Sequence, residues 1–199
     1  MALSIINLLG ASVLALSSFT TAVVTEDPRT TGGETKEIIT DKSTLVWKGY
    51  KVTGSHHGTV DIKSGSLTFK DGILTGGSVI INMSTIESED LQGEYKGKLE
   101  GHLKSDDFFG VEQHPTAKLT LTKVTPDGKN AYTAKGDLTI KGITNPVDLE
   151  ISVYGNKANA TMKVDRSKFD VRYGSTSFFD GLKDKAIYDE FDLVADFEF

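Results

Sequence analysis

Four histidines are the residues in this chain best suited to metal binding or acid–base chemistry. His56 and His57 are adjacent, while His102 and His114 lie in other segments. None belongs to a His-Glu-x-x-His pattern or another spacing that groups zinc ligands. The sequence therefore predicts no metal site. We expect His102 to fix the exit of a helix by hydrogen bonding, and His114 to precede Pro115 at the entry of a strand.

Carboxylates and serines offer little support for catalysis. Asp106 and Asp107 are adjacent, and adjacent side chains in an extended segment point apart. We expect this pair to cap the Phe108–Phe109 turn instead of sharing a proton. Neither Ser167 nor Ser175 has glycines two residues before and two residues after it, as the G-x-S-x-G nucleophile elbow requires. These patterns predict that the protein is not an enzyme and uses no cofactor.

Two arginines near the C-terminal part of the chain have two interpretations. Arg166 follows Asp165, and Arg172 lies two residues after Asp170. Each arginine can pair with its neighbouring carboxylate or meet the head group of a ligand. The short spacing favours the structural pairing.

Composition excludes several other classes of protein. The 199 residues contain no cysteine, which excludes thiol catalysis, thiolate metal sites and disulfides. The net charge is -6, with acidic and basic residues interspersed, so no basic surface is predicted for nucleic acid. The length suits one domain with a substantial core.

The first 40 residues differ from the rest of the chain. Residues 3–24 carry no charge and end in small side chains, as in a secretory signal peptide, although residues 1–10 contain no lysine or arginine. The sequence predicts a signal peptide over 1–24, a flexible linker over 25–40 and a folded domain over 41–199. This predicts export to the periplasm or beyond, and an uncleaved membrane anchor is the alternative.

The folded domain has a hydrophobic period of two, which is typical of β-strands. The sequence predicts eight strands, centred on Trp47, Ile62, Ile81, Leu119, Leu138, Ile151, Ala160 and Leu193. Short turns such as Asp71-Gly72 join them, so the fold class is all-β: an eight-stranded antiparallel β-barrel.

The series Leu91, Tyr95, Leu99 and Leu103 has helical spacing after Ser88 and predicts a short helix over one barrel mouth. A second short helix or lid is predicted within 174–190.

The inward-facing positions of these strands are apolar and include several small residues, namely Gly49, Gly77, Ala117, Ala158, Ala160 and Ala195. A barrel of eight strands is either filled by its side chains or left with room for one small ligand. The small residues favour a cavity over a packed interior.

Several motifs, in register, resemble the YceI-like family over residues 41–199. They are WKGYK at 47–51, GSHHG at 54–58, INMSTI at 81–86, GHLKSDDFF at 101–109, HPTA at 114–117, GDLTIKGITNPV at 136–147 and DRSKF at 165–169. One departure is Lys51, because many relatives carry histidine there. The resemblance implies a lipocalin-like barrel that is exported and binds a polyisoprenoid lipid, of the quinone or prenyl-phosphate type, without cofactor chemistry.

On this interpretation the protein sequesters or carries an isoprenoid or another long apolar chain. The residues predicted to line the tunnel are Trp47, Val60, Phe69, Ile81, Phe108, Leu119, Leu138, Ile140 and Met162. The expected partners are this lipid, with peripheral membrane contact and a homodimer as further options. The alternative is a non-enzymatic envelope structural or interaction protein with a packed barrel.

Overall fold

The computed structural model describes residues 33–199, so the predicted signal peptide (1–24) and the first half of the predicted linker (25–32) lie outside the described residues. The strands are β1 (Glu34–Glu37), β2 (Thr44–Lys51), β3 (Gly54–Lys70), β4 (Ile73–Ser88), β5 (Thr116–Pro126), β6 (Ala131–Ile140), β7 (Ile143–Tyr154), β8 (Lys157–Asp165) and β9 (Ile187–Glu198). The α-helix is α1 (Gly93–Lys104), and short 3-10 helices cover Thr40–Lys42, Arg166–Phe169 and Lys183–Lys185.

Strands β2 to β9 form a closed antiparallel barrel. Each pairs with its neighbour in the chain, and β2 pairs with β9 from Thr44–Asp196 to Lys51–Ile187. Closure leaves the eight strands without a free edge, which suits a soluble all-β domain. The prediction of an eight-stranded antiparallel barrel is confirmed.

Strand β1 is a ninth strand, and it lies in the segment predicted as linker. It pairs with the far half of β3, from Glu34–Phe69 to Glu37–Ser66. Its side chains are polar or charged and largely exposed, so no hydrophobic alternation marks it. Main-chain hydrogen bonds to β3, which do not depend on side-chain polarity, hold it in place. The ordered domain thus begins before residue 41.

The turn predicted at Asp71-Gly72 is present between β3 and β4. Both residues have positive φ angles, 53° and 77°, as the tight hairpin turn requires. The Lys141-Gly142 pair, at 51° and 74°, makes the same kind of turn between β6 and β7. These turns keep the connections short at the ends of the barrel.

Helix α1 is shorter than predicted and begins at Gly93. Leu91 precedes it, and Tyr95 is 73% exposed, so the predicted apolar face is only partly buried. The side chains that would have capped an earlier start are used elsewhere: Ser88 donates to Asp90, which accepts from the main chain of His57. Leu103, in the last turn, is buried and faces the barrel interior.

The connection from 174 to the start of β9 contains only one short 3-10 helix, Lys183–Lys185. The described residues therefore contain one α-helix at the barrel end. The prediction allowed one or two short helices, and the second predicted segment forms only a 3-10 turn. Within residues 33–199, no helix combines the length and apolarity needed to cross a membrane.

Candidate functional site

Two apolar cavities lie inside the barrel. The α1-side cavity, of about 90 Å³, is lined by Leu103 of α1 and by Phe108, which follows it. The far-side cavity, of about 40 Å³, is lined by small and aliphatic side chains, including Ala158 and Ala160. Four residues line both cavities: Leu45, Ile81, Leu138 and Leu193. The cavities therefore adjoin each other inside the barrel and share part of their walls.

Eight of the nine residues predicted to line the tunnel do line a cavity. Trp47, Val60, Phe108 and Ile140 line the α1-side cavity. Leu119 and Met162 line the far-side cavity, and Ile81 and Leu138 line both. The structure thus brings these side chains together, because the inward alternation of each strand continues around the closed sheet.

Phe69 is the exception and lines neither cavity. It lies at the end of β3 where β1 pairs, and its ring contacts that of Phe199 with 5.4 Å between centroids. Lys36 of β1 lies over both rings. Phe69 is buried, which explains the prediction, but it packs at the far end of the barrel and not in the tunnel wall.

The small residues predicted to leave space do so at most positions. A Cβ atom on Gly49 would meet nothing within 4 Å, so the α1-side cavity is open there. Ala158, Ala160 and Ala195 line the far-side cavity. Gly77 also lines the far-side cavity, and because a Cβ there would lie 2.7 Å from the main-chain oxygen of Ser66, it permits the close approach of β3 and β4.

The indole of Trp47 is held in a fixed orientation at the α1-side cavity. Its Nε1 atom donates to the main-chain oxygens of Thr59, at 3.3 Å, and Glu87, at 3.1 Å. Those residues pair across β3 and β4. The polar edge of Trp47 is therefore satisfied by the barrel wall, and its apolar ring is left to line the cavity.

Arg166 is a buried charge in the lining of the α1-side cavity. It is 2% exposed, and its guanidinium donates to the main-chain oxygens of Tyr188, Val171 and Ile187 at 2.9–3.2 Å. Burial lowers the pKa of Arg166, while the carboxylates of Asp189 and Asp165 oppose that shift. The predicted pairing with Asp165 is wrong, because the ion pair is with Asp189, at 3.4 Å.

Asp165 instead accepts hydrogen bonds from Ser167 and caps the short helix that carries Arg166. The prediction for Arg172 is confirmed, since it pairs with Asp170 on the protein surface. Arg166 is buried and Arg172 is exposed because of their positions relative to β8. Ala158, Ala160, Met162 and Val164 face inward on β8, and Arg166 is the next residue in that alternation. This period of two is the signal that identifies Arg166 as an inward residue.

The histidines are dispersed. His56 contacts Asp90 at 2.7 Å, His102 packs edge-on against Phe108 and Tyr173, and His114 lies just before β5. The ring Nε2 of His102 is buried and makes no hydrogen bond. The hydrogen bond that His102 makes at the exit of α1 is through its main-chain oxygen, which accepts from Ser105. Residues 33–199 contain no group of three or more His, Asp or Glu placed to hold a metal ion.

The predicted capping role of Asp106 and Asp107 is wrong. The Phe108 main chain donates to the oxygen of Ser105, which therefore forms the turn. Asp106 accepts instead from the side chain of Gln113. The carboxylates lie in the surface loop after α1, where Asp106 and Asp107 line a groove outside the barrel interior.

An electrostatic network stabilises the connection between β4 and α1. Asp90 accepts hydrogen bonds from His56, from the main chain of His57 and from Ser88. Burial raises the pKa of Asp90, but these hydrogen bonds outweigh it and lower the pKa to about 2. The ionised carboxylate of Asp90 therefore links the start of β3 to the end of β4 at the α1 end of the barrel.

A closed antiparallel barrel with an apolar interior and one end covered by a helix defines a lipocalin-like protein suited to a hydrophobic ligand. The YceI-like domain matches residues 37–199, and the chain belongs to this family. The resemblance described from the sequence motifs is thereby confirmed.

Curated relatives include the UPF0312 protein plu2095 of Photorhabdus laumondii, 35% identical over 99 residues, and Protein YceI of Escherichia coli, 32% identical over 101 residues. Each alignment covers 50% of this chain and 49% of the relative. The chain thus spans about half the length of the curated relatives that it matches.

Solved structures share the fold. The chain is similar to Burkholderia cenocepacia BcnA, with a TM-score of 0.62, 18% identity and coverage of 79% of this chain and 96% of BcnA. A mutant CJ YCEI protein made for nanotechnology applications has a TM-score of 0.51 and 21% identity, covering 67% and 78% of the two chains. At these identities the comparison establishes the fold.

Proposed function

We propose that this protein is an exported lipid-binding protein that sequesters or carries a polyisoprenoid, or another long apolar chain, in the barrel interior. The observation that carries the proposal is the pair of adjoining cavities sharing Leu45, Ile81, Leu138 and Leu193. Both cavities have almost no polar surface, and their shared walls place them one after the other along the barrel interior. Such a space suits a chain-like hydrocarbon better than a compact polar substrate.

Lining side chains must move for a long lipid to enter. The cavities measure about 90 and 40 Å³, whereas pockets for drug-sized ligands span roughly 300–1,000 Å³. Met83 lines the α1-side cavity and Met162 the far-side cavity. Methionine is unbranched and changes rotamer at low cost, so these residues can yield space without disturbing the strands.

Tail burial should dominate the affinity. One buried methylene contributes about 0.8 kcal/mol of transfer free energy, so a five-carbon isoprene unit contributes roughly 4 kcal/mol before losses. Ordering of the chain reduces this to about 1.5 kcal/mol per unit, at ligand efficiencies near 0.3 kcal/mol per heavy atom. One neutral hydrogen bond to a head group contributes about 1 kcal/mol. Several units therefore outweigh one polar contact.

A tail-length series with one head group tests the proposal. We expect the affinity to rise stepwise with isoprene number until the tunnel is full, in detergent held below micelle formation. Swapping the head group at constant tail length should change affinity less. Affinity that stays flat across tail lengths, yet collapses when only the head group changes, would exclude the tunnel and indicate a polar site at the barrel end.

The small volume of the cavities favours a second candidate, a packed barrel that acts as an envelope structural or interaction protein. Native mass spectrometry after gentle extraction from the native host separates the two candidates. A co-purifying lipid supports the carrier. Repeated recovery of an empty barrel supports the packed alternative.

Export to the periplasm or outside the cell is part of the same proposal, and it is supported by the charge-free residues 3–24. We expect cleavage near Ala22, which N-terminal sequencing of the envelope protein checks. A mature protein that begins at Met1 would instead support an uncleaved anchor. Peripheral membrane contact and homodimer formation stay predictions.

A further inference from the structure

The position of Arg166 requires an explanation beyond the stability of the fold. A buried ionised side chain is expensive unless its charge and its donors are compensated. Arg166 is 2% exposed, and it lies in a lining that is otherwise almost entirely apolar. Phe108 covers one face of the guanidinium, with 5.4 Å between Cζ and the ring centroid.

The hydrogen bonds of Arg166 can be accounted for individually. A guanidinium has five N–H donors. The Nε donor reaches Tyr188 O, one Nη1 donor reaches Val171 O, and one Nη2 donor reaches Ile187 O. The Asp189 Oδ1 atom lies 3.4 Å from Nη2 as an ion pair but accepts no hydrogen bond. One donor on Nη1 and one on Nη2 are therefore left without a hydrogen-bond acceptor among residues 33–199.

The charge around Arg166 is balanced before any ligand binds. Asp189 carries one negative charge, and its other oxygen accepts from Ser177 at 2.6 Å. The described lining of the α1-side cavity contains no lysine and no second arginine. A phosphate entering there would bring uncompensated negative charge into an apolar space, which is costly. An uncharged oxygen acceptor would bring none.

We propose that Arg166 is a head-group subsite, where one Nη1 donor binds a single uncharged oxygen acceptor, such as a ketone, at one end of a lipid. The proposal rests on the proposed function, because the rest of the lipid must occupy the tunnel. It also gives the orientation of the bound lipid, because the oxygen-bearing end lies at Arg166 and the tail extends toward Ala160 in the far-side cavity. It also selects uncharged over phosphorylated lipids.

Three ligands with equal tails test the subsite in the wild-type protein: geranylgeranylacetone, the hydrocarbon in which its ketone is replaced by a methylene, and geranylgeranyl monophosphate. Trp47 is the only tryptophan and lines the α1-side cavity, so its fluorescence reports binding. We expect the ketone to bind about ten- to a hundredfold more tightly than the hydrocarbon, the effect of one hydrogen bond to a charged group. The phosphate should bind more weakly than the ketone.

Infrared spectroscopy with a carbonyl-labelled ketone locates the contact. We expect the carbonyl stretch to move to lower wavenumber in the wild type and in Arg172→Met, a control that removes a surface arginine of the same segment. The shift should be lost in Arg166→Met. If Arg166→Met fails to fold, judged by circular dichroism, the three-ligand series in the wild type decides alone.

The outcomes separate the two proposals. Equal affinity for ketone and hydrocarbon overturns the subsite and leaves the tunnel intact. Tighter binding of the phosphate overturns the selection for uncharged acceptors. If neither the hydrocarbon nor the ketone binds, the proposed tunnel is wrong and the subsite falls with it. A carbonyl shift that persists in folded Arg166→Met assigns the contact to another residue and also overturns the subsite.

Discussion

The two cavities of the barrel differ in polarity although they share four lining residues. The α1-side cavity has aromatic walls, formed by Trp47 and Phe108, and one charged group, Arg166. The far-side cavity has mostly aliphatic walls with three alanines, one aromatic residue, Phe197, and no charged residue. Both are built mainly from inward-facing strand residues, so the difference arises from single positions, namely Trp47 within β2, Phe108 after α1 and Arg166 after β8. The barrel interior therefore carries one charged group at its α1 end and none in the far-side cavity.

The largest expected effect comes from placing a carboxylate in each cavity. Leu119→Asp in the far-side cavity buries a charge with no partner, and we expect a loss of about 3–5 kcal/mol in the free energy of unfolding, or no folding. Ile140→Asp should lose less, because the lining around it includes the guanidinium of Arg166. Denaturant unfolding measures both losses.

Lys118→Asp is the control for that comparison. Lys118 is exposed on the outer face of β5, next to Leu119, and its replacement should change stability by less than about 0.5 kcal/mol. If Ile140→Asp lowers the free energy of unfolding as much as Leu119→Asp does, the guanidinium of Arg166 does not stabilise a carboxylate in the α1-side cavity.

Filling the far-side cavity should affect long tails selectively. Ala160→Leu adds volume there, and we expect it to weaken the longest bound isoprenoid about tenfold, which is the contribution of one unit. Short tails should bind as before. Overpacking can also cost about 1–3 kcal/mol in stability, so affinity and unfolding must both be measured.

Gly49→Ala, in the α1-side cavity, is the matched control because a Cβ there meets nothing within 4 Å. It should leave the tail-length limit unchanged. An equal loss for short and long tails in Ala160→Leu would show that the far-side cavity is not the end of the tunnel.

A smaller effect is expected at Asp90, which fastens only the α1 end. Its pKa is lowered from 3.8 to about 2, so its stabilising contribution is complete above about pH 4 and is lost as the pH falls through 2. Asp90→Asn should therefore be less stable than the wild type at neutral pH, and the difference should shrink in acid. Thermal unfolding from pH 6 down to pH 2 measures it. A difference that is constant over that range would contradict the assignment.

Chelation should have no effect on either end of the barrel. The histidines are dispersed, so we expect treatment with EDTA to leave the melting temperature and the bound lipid unchanged. Elemental analysis before and after treatment is the measurement. A stoichiometric metal whose loss lowers the melting temperature would overturn the prediction.

The sequence was sufficient for the barrel and for most of its lining, because the inward set on each strand is mainly apolar and alternates over most of the strand's length. Strand β1 was not predicted, because its side chains are polar and its contacts are main-chain hydrogen bonds to β3. The helix start was misplaced because Ser88 and Asp90 bond to each other and to the start of β3 instead of capping α1.

Long-range pairing explains the other errors. Arg166 has an acidic neighbour in the chain, yet its partners, Ile187, Tyr188 and Asp189, come from the start of β9. Phe69 follows the inward alternation of β3, but the structure places it beyond the tunnel, against Phe199. In both cases the side chain's direction could be inferred from the sequence, while its partner depended on how the barrel closes.

The pairing of β2 with β9 also sets the order of events in folding. Thr44 pairs with Asp196, so this seam joins segments separated by about 150 residues and its loop-closure entropy cannot be offset by local contacts. The barrel cannot close until β9 has been synthesised. A growing chain therefore remains open along this seam throughout translation, with the edges of β2 and β3–β8 assembled before the last strand can join them.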